Sequence, residues 1–398
     1  MPNTPIKILH VIPGLAPQYG GPSKIVLELS EALRARGLSS EIAATDADGL
    51  GTLSVPLGEF TEYQGERAIF FHRNFSESFK YAPGLSRWLD KHVENFDMLH
   101  IHAVFSHSTL AAAKAALRHC VPYVIRPLGT LEPWSMHQKA LKKKIAWHLC
   151  FKPLVQQASF VHYTTRNEQE LTEQSLGLTN GRVIPNGLSP KFLTDTNFMI
   201  QNGTKKSAER TFLFLSRIAP KKGLELLIRT FSALSHQCPH FQHKLLIAGR
   251  GEYNYMKSLI ELSNQLGISE QLIWKDWVEG PEKQRILLQA DALILPSQQE
   301  NFGNALLEAM ACATPVITTA VTGLANVIAA HNCGWIIEPT GNSLSKALLE
   351  VMTKESVRRQ RGENGRRLVE EHYAWPALAT LLIQYYRQAL DTGKYAHS

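Results

Sequence analysis

Short apolar runs and stretches of helical period alternate along nearly the whole chain. Residues 6–13 (IKILHVIP) form an apolar run of buried-strand type, interrupted by Lys7 and His10. A loop at 14–21 leads to Pro22 and Ser23. A helix is predicted over 24–36, with Ile25, Val26, Leu29, Ala32 and Leu33 as its apolar positions and Gly37 just past its end. A second strand, 40–45, follows at once. Residues 46–85 are polar loops around a short strand at 68–71, and 81–96 reads as a helix. The strand at 97–102 puts His100 and His102 on one face by alternation, with His102 at its C-terminal end. Next come a helix at 109–119, a strand at 122–127 carrying Arg126 near its end, and a long helical stretch at 137–157. A strand at 158–164, a helix at 167–175 and a strand closing in a turn at 182–187 complete the first half.

At 194–210 (TDTNFMIQNGTKKSAER) the period is lost, which marks a linker. The second half repeats the theme. Strands are predicted at 211–216, 244–248, 272–277, 291–296, 315–319 and 334–337. Helices are predicted at 224–234, 255–266, 282–290, 305–311 and 342–353, with a last helical segment at 358–389 broken near 373–376. Strands alternating with helices on both sides of a linker predict two doubly wound α/β domains, with ligand sites at strand C-termini.

One stretch concentrates chemistry. The apolar run 291–297 passes through the polar loop 298–303 into a helix, with Glu300 and Glu308 eight residues apart. A strand feeding a helix through a glycine loop aims free N–H groups and the positive end of the helix dipole at the loop, which suits a phosphate. Were both glutamates helical they would stand about 12 Å apart along the axis. Paired glycosidase carboxyls sit roughly 5–9.5 Å apart, so these two suit the holding of two parts of one long ligand better than the cutting of one bond. A solvated loop glutamate and a helix-face glutamate is the alternative reading.

Composition adds bounds. The 398 residues are 44% hydrophobic and 19% charged, as in soluble globular proteins, and the length suits two or three domains. The net charge of +7 suits anionic ligands or an anionic membrane surface, and no dense basic and aromatic stripe marks a nucleic-acid binder. Five scattered cysteines without metal spacing fit reduced thiols. The N-terminal run lacks a secretory pattern and no stretch reaches the ~18 apolar residues of a span, so a cytoplasmic location is expected. Lys139, Lys142, Lys143 and Lys144 lie close to Trp134 and Trp147, which suggests contact with the inner face of the membrane; a solvated basic face is the alternative.

Several stretches together resemble the retaining glycosyltransferases called group 1 or family 4, which have the GT-B fold. They are Gly20-Gly21, the strand-end His102, Ile184-Pro185-Asn186-Gly187, 216–223 (SRIAPKKG), Gly249-Arg250-Gly251, 300–308 and Gly334-Trp335-Ile336-Ile337. The stretch 126–134 (RPLGTLEPW) is similar to bacterial exopolysaccharide and lipopolysaccharide enzymes. The resemblance implies two facing Rossmann-like domains: an acceptor domain at 1–195, a nucleotide-sugar domain at 196–371, and a C-terminal helix, 372–398, returning to the first. It also implies roles. Arg217 and Lys222 clamp the donor diphosphate, as suits guanidinium and ammonium groups. Glu308 binds the ribose hydroxyls and Glu300 the donor sugar. The backbone of Phe302, Gly303 and Asn304 meets phosphate or sugar, and His102 bonds the sugar from the other domain. Gly20 and Gly21 allow close approach, Gly249 and the Trp277-Val278 turn line the base pocket, and Arg126 holds acceptor or phosphate.

The chain departs from the family pattern at 321–328 (VTGLANVI), which has one glycine where a pair is common and lacks the glutamate. This puts local donor contacts in question. No Asp-x-Asp motif stands at a metal position, so a metal-independent reaction without a cofactor is expected, with a UDP- or GDP-linked sugar as donor and a glycan or lipid-linked glycan as acceptor. The other readings left open are a nucleotide-sugar epimerase, a phosphorylase with a pyridoxal-phosphate lysine, and a non-catalytic nucleotide-sugar binding protein.

Overall fold

The computed structural model describes residues 5–138, 140–203, 210–238 and 243–392. The chain forms two compact units. One contains the residues up to Gly187 and those from Trp375 onward; the other runs Leu188–Ala374.

The first unit is built on an eight-stranded sheet. Its strands are β1 (Lys7–Ile12), β2 (Ser39–Thr45), β5 (Phe60–Tyr63), β6 (Glu66–Phe71), β7 (Met98–His102), β8 (Tyr123–Arg126), β9 (Phe160–Tyr163) and β10 (Gly181–Val183). The order is β10-β9-β8-β7-β1-β2-β6-β5, and every pairing is parallel except β5 with β6. A small ribbon, β3 (Ala47–Asp48) with β4 (Gly51–Thr52), stands apart. The sequence showed β6 but not its hairpin partner β5, whose half-exposed pattern lacks a clear alternation. Strand order reverses between β1 and β7, and ligands of open parallel sheets bind at such a reversal.

Register decides what each face carries. His10 pairs with His100, and His102 with Arg126, so these side chains share one face. Ile8, Met98, Val124 and Phe160 lie there too, packed on the helices Gly21–Arg34 and Trp375–Asp391. The opposite face carries Leu9, Val11, Leu99, Ile101 and Val161 in a separate apolar cluster. Burial on both faces explains why the strands read as near-continuous apolar runs. The C-terminal helix is anchored by Trp375 Nε1, which donates to Glu28 Oε2 at 2.9 Å, and by Tyr386, whose hydroxyl is 2.7 Å from His100 Nδ1.

The second unit has a six-stranded parallel sheet of β11 (Thr211–Leu215), β12 (Lys244–Ala248), β13 (Leu272–Lys275), β14 (Ala292–Leu295), β15 (Val316–Thr319) and β16 (Gly334–Ile337). The order β13-β12-β11-β14-β15-β16 reverses between β11 and β14. Both units are thus Rossmann-like.

Two expectations change. The linker expected at 194–210 is in part a helix, Pro190–Gln201, and residues 204–209 lie outside the described residues. Ser189 caps that helix, and Gln284 Nε2 holds it through Phe192 O and Thr196 Oγ1. The boundary therefore falls at 187/188 rather than 195/196, and the C-terminal helix starts at Trp375 rather than 372. The long helical stretch expected at 137–157 is helical without a break from Ala140 to Gln157, with a π-type turn at Trp147–Phe151, and a separate short helix, Pro133–His137, precedes it. The five cysteines are unbridged. Among the described residues no helix is long and apolar enough to cross a membrane.

Candidate functional site

The expected site residues fall into two groups, one in each unit. In the second unit they gather where β11 and β14 end, at the strand-order reversal. The loop after β11 carries Arg217, exposed, and then the tight turn Pro220–Lys222. Gly223 follows in a left-handed conformation (φ 73°), and a β-carbon there would lie 2.1 Å from Pro296 O. Only glycine lets the two loops close to this distance. Gln298 N then donates to Lys221 O at 2.8 Å, and Lys221 Nζ to Gln299 Oε1 at 2.9 Å. The closure delivers Lys222 to Glu300, and the two form an ion pair with side chains 8% and 18% exposed.

Glu300 is also fixed through its backbone. It bridges Thr322, and its carbonyl accepts from Gly323 N at 3.0 Å. Thr322 is pinned in turn by Thr318, hydroxyl to hydroxyl at 2.7 Å. The segment that departs from the family pattern therefore braces the glutamate. Phe302 turns its side chain into the core, beside Tyr373. Gly303 precedes the helix Asn304–Ala311 and brings no side chain to its first turn. The helix dipole and the Lys222 cation make this edge attractive to an anion. Glu308 is on the second turn of that helix, buried and ion-paired with Lys283.

Gly249 ends β12 where a β-carbon would meet Ser216 O at 1.9 Å, so the backbones of 216–218 and 249–251 run in contact. Arg250 points outward and holds Asp276 with two bonds. Val278 is buried, and Trp277 donates through Nε1 to Glu279.

In the first unit Gly20 caps the helix Gly21–Arg34, and Gly21 and Pro22 form its first turn. His102 ends β7 as expected but is wholly buried. Its Nε2 is 3.0 Å from His10 Nδ1, its ring stacks on His100 at 4.5 Å, and its Nδ1 has no partner. His100 Nε2 is 3.3 Å from His162 Nδ1, and His162 Nε2 lies 2.8 Å from Ile184 O. Arg126 is also fully buried and bonds Asn186 Oδ1, with Nε and Nη1 unpartnered. This places Arg126 inside the unit rather than on an acceptor-facing surface. Burial, reinforced by the Arg126 charge, pushes His10 down to about 3. Burial likewise holds His100, His102 and His162 well below the ordinary histidine value, so all four are neutral near pH 7. His10, His100 and His102 bring nitrogens within 4.8 Å of one another. The stacked rings and the adjacent guanidinium make them a poor cage for a cation.

Comparison with known proteins decides the family. Residues 195–368 match the family of glycosyl transferases group 1, and residues 20–187 match the glycosyl transferase 4-like domain. The chain belongs to the family 4, group 1, glycosyltransferases. Among relatives of this glycosyltransferase, an uncharacterized glycosyltransferase of Methanocaldococcus jannaschii is 29% identical over 53% of the chain and 54% of that protein. The phosphatidyl-myo-inositol mannosyltransferase of Mycobacterium leprae is 26% identical over 94% of each chain. The fold of the present chain is that of solved GT-B enzymes. The sucrose-phosphate synthase from Thermosynechococcus elongatus superposes with a TM-score of 0.79 at 20% identity, covering 98% of this chain and 100% of that one. The Anabaena protein HepE, solved with UDP and glucose, gives 0.75 at 18%, covering 96% and 100%.

The sequence pattern missed three features of the glycosyltransferase. Lys283, the partner of Glu308, lies 25 positions earlier on another helix, a pairing without a local signal. Thr322 joins Glu300 from a segment that read only as a departure. The row of His10, His100 and His162 had a signal: a histidine inside the apolar run of β1, in line with the pair on β7.

Proposed function

We propose that this glycosyltransferase moves a hexose-type sugar from a UDP- or GDP-linked donor to a glycan or lipid-linked glycan, with retention and without a metal ion. We place that reaction in cell-surface polysaccharide synthesis at the inner face of the cytoplasmic membrane. The observation that carries the reading is the Lys222–Glu300 pair beside the uncapped start of the helix Asn304–Ala311. In this reading Lys222 leaves Glu300 for the donor diphosphate, and Arg217 joins it. Both cations and the helix terminus offset charge building on the leaving group. The freed Glu300 carboxylate faces the sugar as it becomes oxocarbenium-like. Glu308, oriented by Lys283, receives the ribose hydroxyls. The acceptor hydroxyl attacks the face the diphosphate leaves, and a leaving phosphate oxygen takes its proton. The site supplies position and electrostatics rather than a base. The UDP and glucose held by HepE support a nucleotide sugar as donor.

A thermal-shift panel of nucleotide sugars tests the donor. A ligand at 100 times its Kd stabilises by about 2.7 kcal/mol, and a flat response to the whole panel refutes the reading. The stereochemistry is read from the anomeric proton of the early product by NMR, where an inverted product overturns the front-face mechanism. Donor hydrolysis separates an enzyme from a silent binding protein.

A further inference from the structure

The helical segment after β8 turns an apolar line toward solvent. Leu141, Ile145 and Leu149 are 74%, 51% and 76% exposed, and each is four positions from the next. At about 100° per residue they form one slowly turning stripe, with Lys142 on one flank and Lys144 on the other, both exposed. The opposite line is Lys143, Trp147 and Phe151. Trp147 and Phe151 are buried, and Lys143 Nζ donates to Ser135 O at 2.7 Å and lies over the Phe105 ring. This corrects the basic patch expected from the sequence. Trp147 belongs to the core, Lys143 is tied down, and Lys139 lies outside the described residues. What faces outward is an apolar stripe between two lysines. Trp134 is half-exposed on the adjoining helix Pro133–His137, which Lys143 joins to the segment through Ser135.

Charge points to the partner. No aspartate or glutamate occurs between Glu132 and Glu168, a stretch that includes five lysines. We propose that residues 140–149 lie on an anionic lipid bilayer, with Leu141, Ile145 and Leu149 in the acyl boundary and Lys142 and Lys144 at the headgroup phosphates. Lysines on both flanks of a narrow stripe suit a flat anionic plane, because their stems run along the apolar boundary while the ammonium groups reach the phosphates. A half-exposed tryptophan beside the stripe fits the same interface. The inference deepens the membrane-face reading above, and its test reads lipid contact without any sugar transfer.

The test is co-sedimentation of the full chain with phosphatidylcholine vesicles, with and without phosphatidylglycerol. Binding is expected with phosphatidylglycerol only, and it falls as salt rises. The Ile145→Glu/Leu149→Glu variant should bind roughly tenfold or more weakly, because two apolar anchors become charged. Lys142→Glu/Lys144→Glu should lose about tenfold or more at low salt. Both variants should keep the melting temperature and donor thermal shift of the parent, since the changed side chains are exposed. Equal vesicle binding by the parent and the Ile145→Glu/Leu149→Glu variant overturns the proposal. So does a dimer in solution that this variant splits, with no vesicle binding by the parent. Vesicle binding without any donor response would sink the donor reading and leave the lipid contact standing.

Discussion

Both groups of polar side chains belong to parallel sheets, one in the loops and helices past the strand ends and the other on the strands themselves, and they handle charge in opposite ways. In the second unit each carboxylate has an ammonium partner: Glu300 has Lys222, and Glu308 has Lys283. In the first unit four imidazoles have no exposed surface, and burial keeps them uncharged. Pairing preserves full charges that can exchange partners, so an incoming anion replaces one ion pair with another. Burial removes the charge and leaves neutral nitrogens of fixed protonation state. An arrangement of the first kind responds to ligands, and one of the second kind responds to pH.

The largest expected effect sharpens the second half of that contrast. In the unfolded chain these histidines take up protons near the ordinary value of 6.5, whereas folded His10 resists until about 3. Below pH 6.5 the unfolded state therefore binds more protons, and stability falls as acid is added. The loss approaches about 1.4 kcal/mol per pH unit for each such histidine, and nothing is lost above pH 7. Thermal unfolding of the first unit between pH 7.5 and 5 measures it, and His162→Gln should reduce the slope by about one proton. A midpoint that holds constant over that range contradicts neutral burial.

The next effect tests the paired group. Lys222→Ala should lower kcat/KM by one to two orders of magnitude, from ~1.5–3 kcal/mol lost with a charged hydrogen bond. Glu300→Gln should depress kcat more than donor affinity, because its charge matters most in the transition state. Steady-state kinetics of folded variants decide both, and unchanged constants for Lys222→Ala would remove the pair from the site. The smallest effect is the control. Arg250 and Asp276 form a two-bond pair in open solvent, so Arg250→Ala should leave the second unit's melting temperature unchanged. A clear drop there would mean that ion pairs in this unit matter for stability as such, and would blunt the contrast.

Much of the fold was legible because parallel strands buried on both faces leave apolar runs, and the loops that follow them carry the chemistry. The helix Pro190–Gln201 was not legible. Its one fully buried residue is Thr196, held by a hydrogen bond to Gln284; Phe192, Leu193 and Met199 are only partly buried against the core, and the exposed Phe198 and Ile200 blur their line. The orientation of 140–151 was ambiguous for the opposite reason. Leu141, Ile145 and Leu149 repeat every four residues, and so do Lys143, Trp147 and Phe151, and periodicity does not say which line faces inward. The Lys283–Glu308 pair left no trace in the sequence, because its two members stand on different helices 25 positions apart.

Tyr386 meets His100 across 286 positions of sequence, and the entire second unit is spelled out between them. During synthesis β7 leaves the ribosome long before the helix that covers it. The row of histidines, with Val124 and Phe160 beside it, then waits uncovered while the second unit, local in sequence, closes on itself. The order of completion therefore inverts the order of translation. A nascent chain stalled after Ala374 would present one finished unit and one sheet face covered by the helix Gly21–Arg34 alone, a substrate for chaperones until Leu378, Leu382 and Tyr386 arrive.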